Sequence, residues 1–296
     1  MNEFKYLVLS GGAQNGIMFL GAMTFLENIL LILHKNNIKG HFRGFAGTSV
    51  GALILFCVLC DVHEKEIDFL FSVPVQDLNK AINLKLREIL ISRYGNADIT
   101  FDEFFIKTNK LFKVCATNLC DLSTRVFDVD KTPHVSIVNA INASIALPVI
   151  FDPVIINNEM YVDGGCQYNL PFNVFPAKKT LAFWIRIKPE TLTVLELKNS
   201  TTYVKRIAET FFYTQDSFIE SILINQKKRN IVCFECRTPG FIFQKVVNTD
   251  QLKKLGATFL FEHFKRKKEV CFVWHLYDIF AFMFVIVYCT KFKISF

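Results

Sequence analysis

His41–Cys60, HFRGFAGTSVGALILFCVLC, is the stretch whose reading decides the fold. A short apolar run, Phe42 to Ala46, enters Gly47-Thr48-Ser49-Val50-Gly51, and a longer apolar run leaves it. That order predicts a strand, a sharp turn and a buried helix, with one serine at the apex. In a G-x-S-x-G elbow the flanking glycines, here Gly47 and Gly51, allow a strained turn and a close approach of strand to helix. The helix that follows aims its N–H groups and the positive end of its dipole at the same spot. Ser49 is therefore a candidate nucleophile. The five-residue pattern is short enough to arise by chance, so the rest of the chain must decide.

Upstream, Lys5–Ser10 (KYLVLS) is of strand type and runs into Gly11-Gly12-Ala13-Gln14-Asn15-Gly16. An apolar segment of helical length, Ile17–Leu33, follows. Strand, glycine loop and helix together make an anion-binding design, because backbone N–H groups converge where the helix dipole is positive. A dinucleotide fingerprint would need a glycine where Ala13 stands and an acid closing the next strand, and residues 38–46 contain none. A phosphate-binding P-loop would need a Gly-Lys-Ser/Thr, which is also missing here. The loop fits an oxyanion hole better than a phosphate cradle; a tight turn that needs glycines is the plainer reading.

Beyond the elbow, His63–Phe71 and Gln76–Arg93 read as two helices broken at Pro74, a flank or cap beside the site. Thr100-x-x-Glu103 is a capping box that opens a short helix, Phe101–Lys107. Leu111–Ala116 and Thr124–Val129 are strand-like, and Ser136–Ala146 is a small-residue helix ending at Leu147-Pro148. Val149–Ile156 and Glu159–Val162 are extended runs around Asn157-Asn158, the signal of a hairpin, and they deliver Asp163-Gly164-Gly165. The acid is expected in a tight turn with its carboxylate pointing outward; an ordinary turn aspartate is the plain alternative. Leu181–Ile187 and Asn230–Glu235 add strands, Thr201–Lys227 a long helix with recurring apolar positions, and Asp250–Phe264 a final amphipathic one. Strands alternating with helices, beginning βαβα, argue for an α/β domain with a largely parallel sheet.

The 296 residues are 51% apolar and include 32 Phe, which suggests a large core, a lipid-facing surface or a membrane segment. A net charge of +7 suits nucleic acid or an anionic membrane surface. No basic run interleaves with aromatics, so nucleic acid is set aside and the membrane is favoured. Nine cysteines lie in apolar segments, and the opening MNEFKYLVLSGG lacks the apolar core of a signal peptide. Free thiols in a reducing compartment are expected. Cys57/Cys60 and Cys233/Cys236 would make a four-thiolate zinc site if brought together. Lying in an apolar helix and a strand, they read instead as buried thiols, and neither metal nor organic cofactor is expected.

SGGAQNG after the first strand, GTSVG after the second, ASIALPVIFDPV from residue 143 and DGG at 163 stand in one order. Together they resemble the patatin-like phospholipases, a family of lipid acyl hydrolases, over roughly residues 4–264. The resemblance implies a three-layer α/β fold with a mostly parallel central sheet flanked by helices. It also implies a Ser–Asp dyad in place of a triad. Ser49 would attack the ester carbonyl of a membrane phospholipid or other acyl lipid, and Asp163 would take its proton. The N–H groups of Gly11, Gly12 and Ala13 would hold the oxyanion, with Gly16, Gly47, Gly51, Gly164 and Gly165 supporting the motifs. A carboxylate at its reference pKa near 3.9 accepts a serine proton poorly, and partial burial would raise it. An oxyanion donor contributes about 3 kcal/mol, so the loop matters as much as the base.

Two places depart from the family's loop, where a third glycine and a basic residue are replaced by Ala13 and Asn15. Alanine still donates its N–H provided the backbone there does not need a positive φ. The lost basic residue removes a positive charge near the oxyanion. These departures motivate the alternative of a catalytically weak or inactive lipid-binding or membrane protein. The order Ser49…Asp163…His263 would also match an α/β-hydrolase triad, but His263 lies in a charged helix end, EHFKRKK.

Residues 265–296 form a second region. Lys265-Arg266-Lys267-Lys268 precedes Val270–Cys289 (VCFVWHLYDIFAFMFVIVYC), a mostly apolar run of bilayer length. It is expected as a hydrophobic C-terminal helix and membrane anchor, with interfacial insertion and core packing as alternatives. Asp278 near its middle costs about 2.5–3.5 kcal/mol on insertion scales, and the stronger positive flank on the near side expects the catalytic domain in the cytosol.

Overall fold

The computed structural model describes residues 4–34, 36–71, 73–188, 191–226, 230–237 and 248–266. The expected apolar tail at 270–289 lies outside the described residues. The strands are β1 (Tyr6–Leu9), β2 (Gly44–Thr48), β3 (Leu111–Asn118), β4 (Ser123–Phe127), β5 (Val154–Ile156), β6 (Glu159–Asp163), β7 (Thr180–Lys188) and β8 (Ile231–Arg237). The helices are α1 (Ile17–His34), α2 (Ile38–His41), α3 (Val50–Leu59), α4 (Val75–Tyr94), α5 (Phe101–Thr108), α6 (Ile137–Ile145), α7 (Val194–Leu197), α8 (Ser200–Gln226) and α9 (Thr249–Arg266). Pro74 stands just ahead of α4, the expected Thr100/Glu103 capping box opens α5, and Ser136 caps α6. Two short 3-10 turns, Glu64–Glu66 and Asp68–Phe71, replace the expected first helix of the flank.

All strands join one sheet in the order β5-β6-β3-β2-β1-β7-β8, with β4 also on β3. From β3 through β2, β1 and β7 to β8 the pairing is parallel. At β3 it changes, since β4 and β6 pair with it antiparallel and β5 pairs antiparallel with β6. The sheet is thus mixed: its parallel centre, four of the seven pairings, is as expected, and the antiparallel margin is added to it. For β3–β4 and β5–β6 the cause is connection length: strands joined by a tight turn can only return antiparallel. Asn157 and Asn158, at φ 51° and 63°, make such a turn between β5 and β6.

Side chains alternate cleanly across the sheet. Leu7, Leu9, Phe45, Leu181, Phe183 and Ile185 enter a large core shared with α1, α3, α4, α5, α6 and α9. Val8, Ala46, Ala182 and Trp184 enter a smaller core closed by residues 170–175 and by Ile219 of α8. Buried strands with two covered faces therefore carry apolar residues at every position.

One helix among the described residues, Ala13–Ile32, is long and apolar enough to cross a bilayer. Most of it is buried, because α1 lies between the sheet and α9. Its Phe19 packs against the rings of Phe183 and Phe234 on the sheet side, and its Phe25 meets Phe261 of α9. Two glycines set the crossing of α1 and α9. A Cβ on Gly21 would sit 1.8 Å from the Lys253 carbonyl oxygen, and one on Gly256 would sit 1.9 Å from the Met18 carbonyl oxygen. Lys253 then reaches Asp68 at 2.5 Å and ties the crossing to the flank. In an open helix, Gly→Ala gains about 0.5–1 kcal/mol. At this crossing Gly21→Ala is expected to lose about 3 kcal/mol by forcing the helices apart. The change should appear as a lower urea midpoint at unchanged slope, and a gain in stability would contradict the crossing.

Candidate active site

The site is assembled by an edge of β3. On that edge Thr48, the last residue of β2, pairs with Cys115, and Asp163, the last residue of β6, pairs with Ala116. The opposite edge of β3 at the same level belongs to β4. So β2 and β6 share one edge, run toward each other and end head to head. Ser49 leaves the end of one and Asp163 closes the other. No Cβ is tolerated at the junction: on Gly164 it would lie 2.3 Å from the Cys115 carbonyl oxygen. Ser144 of α6 seals it, accepting the Ser49 N–H at 2.8 Å and donating its own hydroxyl to the Cys115 carbonyl at 2.6 Å.

Ser49 has φ 53° and ψ −128°, a conformation that a residue with a Cβ adopts only under constraint. Packing around the turn supplies that constraint. A Cβ on Gly47 would be 2.4 Å from the Ala52 nitrogen, and one on Gly51 would be 2.5 Å from the Ser10 carbonyl oxygen. The Ser49 carbonyl accepts the N–H groups of Ala52 and Leu53, so the serine is the cap of α3.

Asp163 is 1% exposed, and its carboxylate does not point outward as expected. Oδ1 accepts the Gly165 N–H at 2.7 Å, while Oδ2 is buried without a hydrogen-bonded partner among the described residues. Burial pushes the carboxyl up to about 7, against the opposing pull of the Ser49 hydroxyl and the Gly165 N–H. A carboxyl poised there is matched to exchanging a proton at neutral pH.

The glycine loop completes the floor. Gly12 lies against Ile185, where a Cβ would be 2.7 Å from the side chain, and Gly16 is similarly closed by Val50 at 2.4 Å. The Gly11 N–H is already engaged, donating to the Asn169 carbonyl at 3.2 Å, which leaves those of Gly12 and Ala13 for the cleft. Ala13 has φ 47°, so the proviso for an alanine at this place is not met, and the loop carries left-handed strain there. Asn15 is 3% exposed and donates its N–H to Gly12, so position 15 is not an open place where a basic side chain was simply dropped.

Two lobes open on Ser49. One holds Gly11, Gly12, Ala13, Asp163, Asn169 and Asp216. The other is an apolar groove walled by Leu53, Leu70, Leu78, Ile82, Ile145 and Phe151. Leu147 lines both. Among the described residues no histidine lines either lobe; His263 sits on α9, which packs on α1, so Ser49, Asp163 and His263 are not brought together as a triad. The two Cys-x-x-Cys pairs lie apart, on α3 with its cap and on β8, and among the described residues no cluster of three His, Cys, Asp or Glu is placed to hold a metal.

Three residues with parts in this geometry were not singled out by the sequence reading. Ser144 lies within ASIALPV and Asn169 in the Asn-Leu-Pro turn after DGG. Asp216 is 8% exposed in α8, an acid inside that helix's apolar stripe, and that interruption was its signal. Its Oδ1 accepts Trp184 Nε1 at 2.9 Å and Asn169 Nδ2 at 3.5 Å, and burial lifts it to about 6.

The family model for the patatin-like phospholipases matches residues 7–176. A probable lipid hydrolase of Invertebrate iridescent virus 6 is 31% identical over 195 residues, 58% of this chain and 63% of the relative. The chain therefore spans less than two thirds of that relative's length. An uncharacterized protein of Acanthamoeba polyphaga mimivirus is 28% identical over 256 residues, covering 78% of this chain and 83% of its own. The crystal structure of VipD from Legionella pneumophila superposes with a TM-score of 0.59 at 16% identity, over 89% of this chain and 67% of that one, and so shares the fold. With its elbow, its buried aspartate and its glycine loop on one sheet edge and the family match running from β1 past Asp163, the chain belongs to the patatin-like phospholipase family.

Proposed function

We propose that this chain is a serine lipid acyl hydrolase working through a Ser49–Asp163 dyad. The observation that carries the reading is the pairing of a strained serine with a buried carboxyl held near 7, at the mouth of an apolar groove. Ser49 Oγ attacks the ester carbonyl carbon, and its proton passes to Asp163. The carbonyl oxygen takes up negative charge against the N–H groups of Gly12 and Ala13. As the C–O bond to the leaving alcohol breaks, Asp163 returns the proton to that oxygen. Water then attacks the acyl-enzyme, giving a proton to Asp163, and as the bond from the acyl carbon to Oγ breaks Asp163 returns that proton to Oγ, so the fatty acid leaves with the serine restored.

The groove of Leu53, Leu70, Leu78, Ile82, Ile145 and Phe151 suits a fatty acyl chain, and burying it there supplies about 0.8 kcal/mol per methylene. Membrane phospholipid is the substrate class we favour, met from the cytosolic side; the basic run at 265–268 and the apolar run at 270–289 support a membrane tether. The strained Ala13 and the engaged Gly11 N–H favour, as the second reading, a slow enzyme or a lipid-binding protein.

A fluorophosphonate probe is expected to label the protein and to stop labelling after Ser49→Ala; an unlabelled wild type, or equal labelling of the variant, removes the serine mechanism. Asp163 must be ionised to take the proton. Accordingly kcat/KM on phospholipid micelles should fall about tenfold per pH unit below 7 and level off above it. A flat profile from pH 5 to 8 would contradict the base assignment.

The raised pKa has a stability counterpart. Between about pH 4 and 7 the folded protein holds a proton that the unfolded chain has released, so stability falls as pH rises through that window. Asp163→Asn should lose at least about 100-fold in turnover. Its thermal midpoint should exceed that of the wild type by more at pH 8 than at pH 5. Ala13→Gly relieves the left-handed Cβ and is expected to raise the thermal midpoint by roughly 2–4 °C. A lower midpoint would show that the loop does not hold this residue against its preference.

A further inference from the structure

We propose that Asp216 is a positioning residue for the glycine loop, acting through Asn169. Within Asp163–Asn169 lie contacts to every part of the site: Asp163 faces the serine, the Tyr168 carbonyl accepts the Thr48 hydroxyl at 3.0 Å, and the Asn169 carbonyl accepts the Gly11 N–H at 3.2 Å. Asn169 also packs its side chain against Gly11, where an added Cβ would be 2.6 Å from Oδ1. One residue therefore sets where the loop begins and which N–H groups remain to face the cleft.

Asn169 is itself 7% exposed, so its side chain must be held by protein groups. Its amide donates to Asp216 Oδ1 at 3.5 Å, and the same oxygen accepts Trp184 Nε1 at 2.9 Å. Trp184 is fixed in the smaller core on β7, and Asp216 rides on α8. The acid thus bridges a rigid strand to the segment that touches the loop. Arg186 is the cation acting on it, and that guanidinium is already paired with Glu220 and Glu235. With its Oδ1 occupied by two side-chain donors and the backbone N–H of Ile187 also bonded to its carboxylate, Asp216 is set to orient groups around it. Removing an acceptor that serves two buried donors leaves both unpaired, and the loop anchor is released.

This inference rests on the dyad reading above, and the test separates the two. Asp216→Ala and Asp216→Asn are compared in the full chain by phospholipid kinetics, by the rate of fluorophosphonate inactivation, and by amide hydrogen exchange over residues 10–16. Asp216→Ala is expected to lower kcat and the inactivation rate about tenfold with KM within twofold, and to speed exchange in residues 10–16. Asp216→Asn keeps an Oδ1 acceptor for both donors and should recover most of the rate. The Asn169→Ala/Asp216→Ala double variant should be no slower than the slower single, because both act on one element. The proposal is overturned if the loss falls on KM, if Asp216→Asn is as impaired as Asp216→Ala, if the two losses multiply, or if exchange over residues 10–16 is unchanged. Hydrogen exchange reads the loop whether or not lipid is hydrolysed, so an inactive wild type would refute the dyad and leave this inference to be decided by exchange alone.

Discussion

The site depends on one shared edge of β3. Because β2 ends opposite Cys115 and β6 ends opposite Ala116, backbone hydrogen bonds, and not side-chain rotamers, bring Ser49 and Asp163 together. A ladder of this kind cannot slip by one residue without turning every side chain to the other face. The placing of Ser49 beside Asp163 therefore inherits the register of the sheet. Ser144 closes the gap between the two strand ends, which explains why a small polar residue stands on an otherwise apolar face of α6.

That junction concentrates costs which the surrounding packing must hold in place. The serine is strained, the aspartate is dry, and Ala13 is left-handed. Such features persist only where neighbouring structure over-determines them. Here the support is visible: α3 is buried along nearly all its length, and glycines at 47, 51 and 164 admit contacts that no other residue would allow. Burial of the carboxyl destabilises its charged form and so lifts its pKa to about 7.

Much of this was legible in the residues. The elbow, the glycine loop, the Asn-Asn hairpin and the Thr100 capping box are local features, and each appears where its own chemistry puts it. What could not be read depends on tertiary pairing. The antiparallel return of β6 onto β3 follows from which strands share that edge. The inward aspartate follows from where β6 ends, and the engaged Gly11 N–H from a residue far along the chain. Ile17–Leu33 read as an apolar helix, but that α9 would cover it is a fact about two glycines that composition does not announce.

The crossing of α1 and α9 bears on the order in which the molecule can become whole. Residues 21 and 256 stand near opposite ends of the described chain, so their contact closes a very large loop, and its entropy must be met before the contact rewards it. The sheet around β3 can form from nearer partners, whereas the outer face of α1 stays uncovered until α9 arrives. In that interval an apolar helix nearly a bilayer long is open to solvent. A nascent or unfolding chain would therefore be most prone to self-association, or to capture by a lipid surface, through its first helix and not through the cleft at Ser49.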